Sequence, residues 1–234
     1  MPRLARVVLS DIPFHVTQRG NRREDVFFCD LDREFYLDLL HDYCVKHEVE
    51  VWAYCLMTNH IHLILKPSTE DGLQKVLKPL HMRYAQYINK KHHWKGHLWQ
   101  GRFFSSALDE AYTHSAIRYV EQNPVRAKIV DNPEDYLWSS ASAHMGITES
   151  VLLSNISESY SPAGQRDWKS YLQKENSEEH MVVLRRNIDK GLPCGGDGFI
   201  EDLEKKTNRS LKFKPVGRPV YWGNFIASPF IFIW

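Results

Sequence analysis

The sequence predicts an α+β fold in which an antiparallel sheet carries helices, and two periodicities and a turn support this. Short segments rich in branched and aromatic residues are typical of strands, at 12–18, 49–57, 59–66 and up to 108. Longer segments place apolar residues at helical spacing, at 30–47, 71–91 and 109–122. Thr58 and Asn59 join two of the strands as a tight hairpin. The order βαββαβ, with a further helix after it, is the ferredoxin-like arrangement.

The first helix is expected to begin at Asp30 and to end near His47. Its apolar residues recur at helical spacing: Phe35, Leu39, Leu40, Tyr43 and Cys44. The opposite, exposed face is predicted to carry Asp32, Asp38 and Asp42. Asp30 or Asp32 would cap the start of the helix.

The third strand contains His60-Ile61-His62. Successive side chains of a strand point to opposite faces, so His60 and His62 would share one face while Ile61 takes the other. Two neutral imidazoles at a fixed separation suit a divalent metal ion. The same pattern also fits an ordinary strand whose polar face carries two histidines. His15 of the first strand would lie beside this pair, or serve in packing.

Composition and charge narrow the class of protein. The 234 residues are 43% hydrophobic and 25% charged, as in soluble globular proteins, and the net charge is +1. Between residues 71 and 105, however, seven lysines and arginines face a single acid, which predicts a locally basic surface. The four cysteines lack the paired spacing of zinc or redox sites, and no run approaches the roughly 18 apolar residues of a membrane span. These features favour a cytoplasmic protein.

The last predicted helix of the fold presents Tyr119 and Asn123 four residues apart, and therefore on one face. Tyr119 is either a core aromatic or a nucleophile. Asn123 precedes Pro124, so it either caps a new helix that begins with proline or offers an amide oxygen beside the tyrosine. Local sequence does not choose between these interpretations.

Five different motifs follow one another along the first two thirds of the chain, with the order and spacing of one family. They are FHVTQRGNRREDVFF (14–28), YCLMTNHIHLILKP (54–67), HLWQGRF (97–103), RYVEQNPVRAKIV (118–130) and DYLWSS (135–140). Together they resemble the single-tyrosine HUH transposase family, and within it the REP-associated tyrosine transposases with an IS200-like transposase domain. The resemblance covers about residues 1–146, which we interpret as one domain.

The resemblance implies an enzyme and assigns roles to four residues. His60 and His62 match the metal-binding pair, Tyr119 matches the nucleophile, and Asn123 falls where relatives place a third polar ligand. Imidazoles with an amide oxygen suit Mg²⁺ or Mn²⁺. The implied reaction cuts and rejoins single-stranded DNA near hairpin-forming palindromes through a 5′-phosphotyrosine intermediate. Two alternatives stay open: a non-catalytic single-strand-binding protein on the same fold, and a metal-dependent nuclease that uses water.

The predicted DNA contacts and the C-terminal region complete the sequence hypotheses. Basic side chains near the site are predicted to contact single-stranded or hairpin DNA: Arg19, Arg22, Arg23, Lys90, Lys91 and Arg102. Residues 147–234 are interpreted as a mostly helical, basic extension with a possible accessory role in DNA binding, including Gly217-Arg218-Pro219, which resembles the centre of an AT-hook. Monomer and homodimer are both compatible with the sequence.

Overall fold

The computed structural model describes residues 9–156, 160 and 167–213. The strands are β1 (Phe14–Arg19), β2 (Val49–Met57), β3 (His60–Pro67) and β4 (Phe104–Ala107). The α-helices are α1 (Asp30–Lys46), α2 (Gly72–His92), α3 (Glu110–Glu121), α4 (Asn123–Arg126), α5 (Ala141–His144), α6 (Trp168–Gln173), α7 (Glu178–Ile188) and α8 (Asp197–Thr207). Short 3₁₀ turns lie at Asn21–Arg23 and Pro133–Asp135. The Gly217-Arg218-Pro219 motif lies outside the described residues.

The strands form an antiparallel sheet in the order β2-β3-β1-β4. The predicted sheet and the helices between its strands are therefore confirmed. β1 lies between β3 and β4, and its register pairs Arg19 with His60 and Thr17 with His62. This pairing brings the first strand next to the histidine strand.

Each face of the sheet buries its own core. α1 and α2 cover one face, where Val16, Ile61 and Leu63 are fully buried. α3 packs against β2 and β3 on the other face, where Trp52 and Ile64 meet helical residues such as Ile117 and Val120. Because side chains alternate along β3, the face that holds Ile64 also carries His60 and His62.

The start of α1 agrees with the sequence prediction in one respect and differs in another. Asp32, one of the two aspartates expected to cap the helix, does so, because its carboxylate accepts from the backbone N–H of the N-cap residue Cys29. Its side chain was expected on the polar face opposite the core, but it is fully buried. Its carboxylate accepts hydrogen bonds from the backbone N–H groups of Phe28 and Cys29 and from the Lys91 ammonium, whose Nζ lies 2.6 Å from Oδ1. Burying the carboxylate is tolerated because donors surround it, and the pKa of Asp32 is lowered by these donors although burial alone would raise it.

The described part of the C-terminal extension packs on the sheet domain. Tyr171 and Leu172 of α6, Leu184 of α7 and Cys194 join the core on the α3 face. The Cys194 backbone also exchanges hydrogen bonds with Ala107 and Asp109. The boundary between residues 1–146 and 147–234 stays a prediction. In the described residues, no helix is both long and apolar enough to cross a membrane.

Candidate active site

A cavity of about 490 Å³ opens on the α3 face of the sheet, at the end where β1 and β3 carry their polar residues. It gathers side chains from β1, β3, β4, α3, α4 and α7 and from neighbouring loops. Its lining residues are Thr17, Gln18, Arg19, Arg23, His60, His62, Gln100, Phe104, Tyr119, Asn123, Arg185, Ile188 and Asp189. The four residues singled out by the motifs thus line one cavity.

His60 is held in one tautomer by its neighbour. The Asn59 amide donates from Nδ2 to the Arg23 carbonyl, so its Oδ1 faces His60 and accepts from His60 Nδ1 at 2.6 Å. With the proton on Nδ1, the His60 Nε2 atom carries a lone pair. Sequence reasoning assigned Asn59 to the hairpin turn and missed this orienting role.

His62 is paired with His15 behind it. His15 Nε2 lies 2.9 Å from His62 Nδ1, and both side chains are almost completely buried. The position beside the histidine pair, one of two expected for His15, is the one observed. Neither His60 nor His62 uses Nε2 in a hydrogen bond with the described part of the chain.

Burial keeps these imidazoles neutral at pH 7. Desolvation, reinforced by Arg126, lowers the pKa of His15 to about 3. Desolvation and then Arg19 lower the pKa of His60 to about 4. The pKa of His62 falls well below its usual value, first through desolvation and then through His60 and His15. Neutral imidazoles have a nitrogen lone pair to donate to a metal ion.

Tyr119 stands over the histidines at the C-terminal end of α3. Its ring meets the His62 ring edge to face at a centroid distance of 5.5 Å and the His15 ring at 5.9 Å. The Arg126 guanidinium lies 4.0 Å from the centroid of the Tyr119 ring, and Nη2 donates to the Tyr119 carbonyl at 2.6 Å. Arg126 is seven residues after Tyr119, which is two helical turns, so the spacing was visible in the sequence.

Asn123 reaches the cavity although α3 ends before it. α3 ends at Glu121, and Asn123 is the first residue of α4, with Gln122 as the N-cap of that helix. Glu121 points away from the cavity, and its buried carboxylate accepts from His144 Nδ1, Trp168 Nε1 and Ser140 Oγ. Glu121 is therefore not among the side chains that line the cavity with Tyr119.

The donor set fits a divalent cation. His60 and His62 have ring centroids 5.0 Å apart and leave both Nε2 atoms without a described partner, and Asn123 lines the same cavity. Across the described ranges, no group of three or more His, Cys, Asp or Glu side chains is spaced to hold a metal ion. Two imidazoles with one amide oxygen would leave positions for phosphate oxygens or water.

The six basic residues predicted to contact DNA divide into two groups. Arg19 and Arg23 line the cavity, on either side of Gly20, where any side chain would collide with the Glu24 carbonyl oxygen. Arg22, Lys90 and Arg102 are exposed and do not line the cavity. Lys91 also lies outside it and is bonded to Asp32.

Comparison with known proteins indicates a transposase family. Residues 8–123 match the family model described as "Transposase IS200 like". A solved structure of a REP-associated tyrosine transposase bound to a REP hairpin is 17% identical, with a TM-score of 0.52 over 67% of this chain and 99% of its own. A putative transposase from Deinococcus radiodurans R1 is 19% identical, with a TM-score of 0.37 over 52% of this chain and 97% of its own. No curated protein matches the chain. At these identities the structural likeness concerns the fold.

Proposed function

The chain belongs to the IS200-like transposase family over residues 8–123, and on this premise we propose that it cuts and rejoins single-stranded DNA beside hairpin-forming palindromes. The observation that carries the proposal is the shared cavity: His60, His62, Tyr119 and Asn123 meet there from three elements. We also assign the sheet domain to the ferredoxin-like class, which the strand order β2-β3-β1-β4 supports. The structural relative that binds a REP hairpin supports hairpin DNA as the partner.

In the proposed reaction, the Tyr119 oxygen attacks the scissile phosphorus. The new Tyr–O–P bond forms as the bond from phosphorus to the 3′ oxygen breaks, the phenol proton is lost, and the leaving oxygen ends as a 3′-hydroxyl. The strand is then joined to the protein through its 5′-phosphate. Attack by another 3′-hydroxyl reverses the step and joins two strands without ATP.

His60, His62 and Asn123 are the residues that would hold Mg²⁺ or Mn²⁺. A bound divalent cation would polarise the scissile phosphate and neutralise charge on its oxygens. The protein prepares the ligands beforehand: Asn59 fixes the His60 tautomer, and burial keeps both imidazoles neutral.

Arg126 is proposed to assist Tyr119. As the phenol loses its proton, negative charge spreads into the ring, and a guanidinium 4.0 Å from the ring centroid attracts it. The hydrogen bond from Arg126 to the Tyr119 carbonyl keeps the cation in place. Arg19 and Arg23 line the same cavity and are suited to bind the flanking phosphates.

The test is covalent capture of DNA. The full chain is incubated with a fluorescein-labelled DNA hairpin that carries a randomised single-stranded flank, in Mn²⁺ or in EDTA, and resolved on a denaturing gel. We expect a protein–DNA adduct in Mn²⁺ and none in EDTA, with the DNA on Tyr119 by peptide mass spectrometry. Cutting without an adduct would indicate the water-using nuclease, and binding without cutting would indicate a binding protein.

A further inference from the structure

Helix α7 forms one wall of the cavity, although it lies outside the segment that defines the family. Arg185, Ile188 and Asp189 line the cavity, and α7 contacts α3 and the strands β1 and β4. The family model ends at residue 123, well before α7 (Glu178–Ile188) begins. The cavity described above is therefore completed by the C-terminal extension of the same chain.

Helix α7, which forms this wall, is held in place near both of its ends. Leu184 is buried in the core on the α3 face. The His180 ring stacks on Tyr112 at 4.3 Å, and its Nδ1 lies 2.9 Å from Ser115 Oγ of α3. At the other end, Asn187 Nδ2 donates to the Pro193 carbonyl at 2.6 Å. These contacts fix the helix against α3, so its cavity side presents the same residues in a constant position.

The neighbouring residues Arg185 and Arg186 of α7 make different contacts. The Arg186 guanidinium lies 4.2 Å from the centre of the Phe213 ring, and its Nε donates to Asn187 Oδ1. Arg185 is exposed at the cavity and forms neither a hydrogen bond nor an ion pair with any residue in the described ranges. The positive charge of Arg185 also acts on Arg126: the pKa of Arg126 is lowered first by desolvation and then by repulsion from Arg185. A cation that faces other cations across a cavity is suited to an anionic ligand.

Asp189 gives the wall an opposing charge. It lies one helical turn after Arg185, also lines the cavity, and no carboxylate-to-cation pair within the described part of the chain includes it. A DNA strand in the cavity would pass both side chains. The same wall therefore contains one group that attracts phosphate and one that repels it.

We propose that α7 is a wall of the channel for the cleaved strand, in which Arg185 binds a phosphate next to the scissile one and Asp189 limits the affinity. The inference rests on the proposed function, because it takes the ligand to be single-stranded DNA. It assigns a phosphate-binding site to the C-terminal extension and makes the active site depend on the extension in the same chain.

The experiment measures DNA affinity separately from cleavage. All variants carry Tyr119→Phe to prevent reaction, and the probe is the fluorescein-labelled hairpin with a randomised single-stranded flank, followed by fluorescence anisotropy over a range of salt concentrations. Arg185→Ala is expected to weaken binding about tenfold. It should also reduce the slope of log K against log[salt] by about 0.7, the contribution of one phosphate on a single strand. Asp189→Asn is expected to tighten binding, and Arg186→Gln is the matched control with unchanged affinity.

Asp189→Asn protects the test against misfolding, because a damaged protein would not bind more tightly. A second probe series replaces single phosphates of the flank by neutral methylphosphonates. One methylphosphonate near the cleavage position should weaken DNA binding by the protein that retains Arg185. The same methylphosphonate should not weaken DNA binding by Arg185→Ala. If affinity and salt slope are unchanged in both Arg185→Ala and Asp189→Asn, the wall is not part of the strand path. The proposed function is tested separately: if the protein with Tyr119 intact still forms the adduct, that function is supported even though the wall is not part of the strand path. If no adduct forms, the proposed function fails, and the affinity comparison of the variants remains valid.

Discussion

Histidines and tyrosines lie on both faces of the sheet, but they have different roles on each face. On the face covered by α1 and α2, His81 Nε2 lies 3.0 Å from the Tyr36 hydroxyl and its ring packs against Trp99. On the face covered by α3, His60 and His62 leave Nε2 without a described partner, and both line a cavity. A histidine bonded within a packed core stabilises the fold. One that keeps a lone pair at a cavity is available to a ligand.

The tyrosines differ in the same way. Tyr84 is fully buried and donates its hydroxyl to the Val26 carbonyl at 2.7 Å, and burial strongly raises the pKa of Tyr36 and of Tyr84. Tyr119 is only partly buried and lies beside the Arg126 guanidinium. The comparison indicates that the surroundings of a residue, more than its type, mark the functional site.

The largest expected effect is at Tyr119. Tyr119→Phe should reduce adduct formation by more than about a thousandfold, because the attacking oxygen is removed, while DNA affinity stays unchanged. The measurement is adduct yield on a denaturing gel together with anisotropy. Tyr112→Phe is the matched control on the same helix, since that ring stacks on His180 and lies outside the cavity. An adduct that persists in Tyr119→Phe would transfer the role to another residue, and a loss of the adduct in Tyr112→Phe would then identify that residue as Tyr112.

The next prediction separates the histidines of the two faces. Replacing both His60 and His62 by alanine should abolish Mn²⁺ binding and metal-dependent cleavage, and it should also lower stability, because it leaves the buried His15 Nε2 without its partner. His81→Ala should also lower the free energy of unfolding, by about 2 kcal/mol, since it leaves the Tyr36 hydroxyl unpaired in the core, but it should preserve Mn²⁺ binding. Calorimetric titration with Mn²⁺ and urea unfolding measure the two effects. Undiminished Mn²⁺ affinity in the double variant would place the metal elsewhere.

A third prediction compares two arginine–tyrosine pairs. The Arg118 guanidinium lies 4.5 Å from the Tyr171 ring centroid, much as Arg126 lies against Tyr119, but away from the cavity. Arg126→Gln should slow adduct formation about tenfold at saturating DNA, because the cation beside the nucleophile is lost. Arg118→Gln should leave this rate unchanged. Equal rates in the two variants would show that Arg126 only supports the fold, and single-turnover kinetics distinguishes the cases.

Local sequence was enough to predict most elements. α1 was expected at 30–47 and is observed at Asp30–Lys46, and β2 was expected at 49–57, where it is found. Both predictions depended on periodicity and on a tight turn, which are local properties. The motifs in turn singled out four of the 13 residues that line the cavity.

Contacts between distant segments could not be predicted in this way. Asp32 has the local signal of an exposed helical residue, but it is buried because Lys91, 59 residues away, neutralises it. Lys91 appears in sequence as one more basic residue of α2. Arg185 likewise has no local signal, since only the packing of α7 on α3 brings it to the cavity.

The smallest predicted effect concerns His15, which is fully buried and whose Nδ1 has no hydrogen-bond partner in the described structure. Burial lowers the pKa of His15 from 6.5 in the unfolded chain to about 3 in the folded protein. The unfolded state therefore takes up a proton first, so stability is fully present above pH 6.5 and falls as the pH decreases. Between pH 6.5 and about pH 5.5 this one imidazole should cost about 1 kcal/mol of unfolding free energy.

His15→Leu tests this dependence, because leucine removes the titrating group. In EDTA, urea unfolding at the two pH values should show about 1 kcal/mol less acid destabilisation in His15→Leu than in the unsubstituted protein. His97→Gln, which changes an exposed histidine outside the cavity, serves as the control. An unchanged pH dependence in His15→Leu would mean that the pKa of His15 is the same in the folded and unfolded states, so that His15 becomes protonated in the folded protein as the pH falls below 6.5. A charged His15 would donate to His62 Nδ1 and thereby place the remaining proton of a neutral His62 on Nε2, which is the nitrogen that the proposed metal site requires to be free.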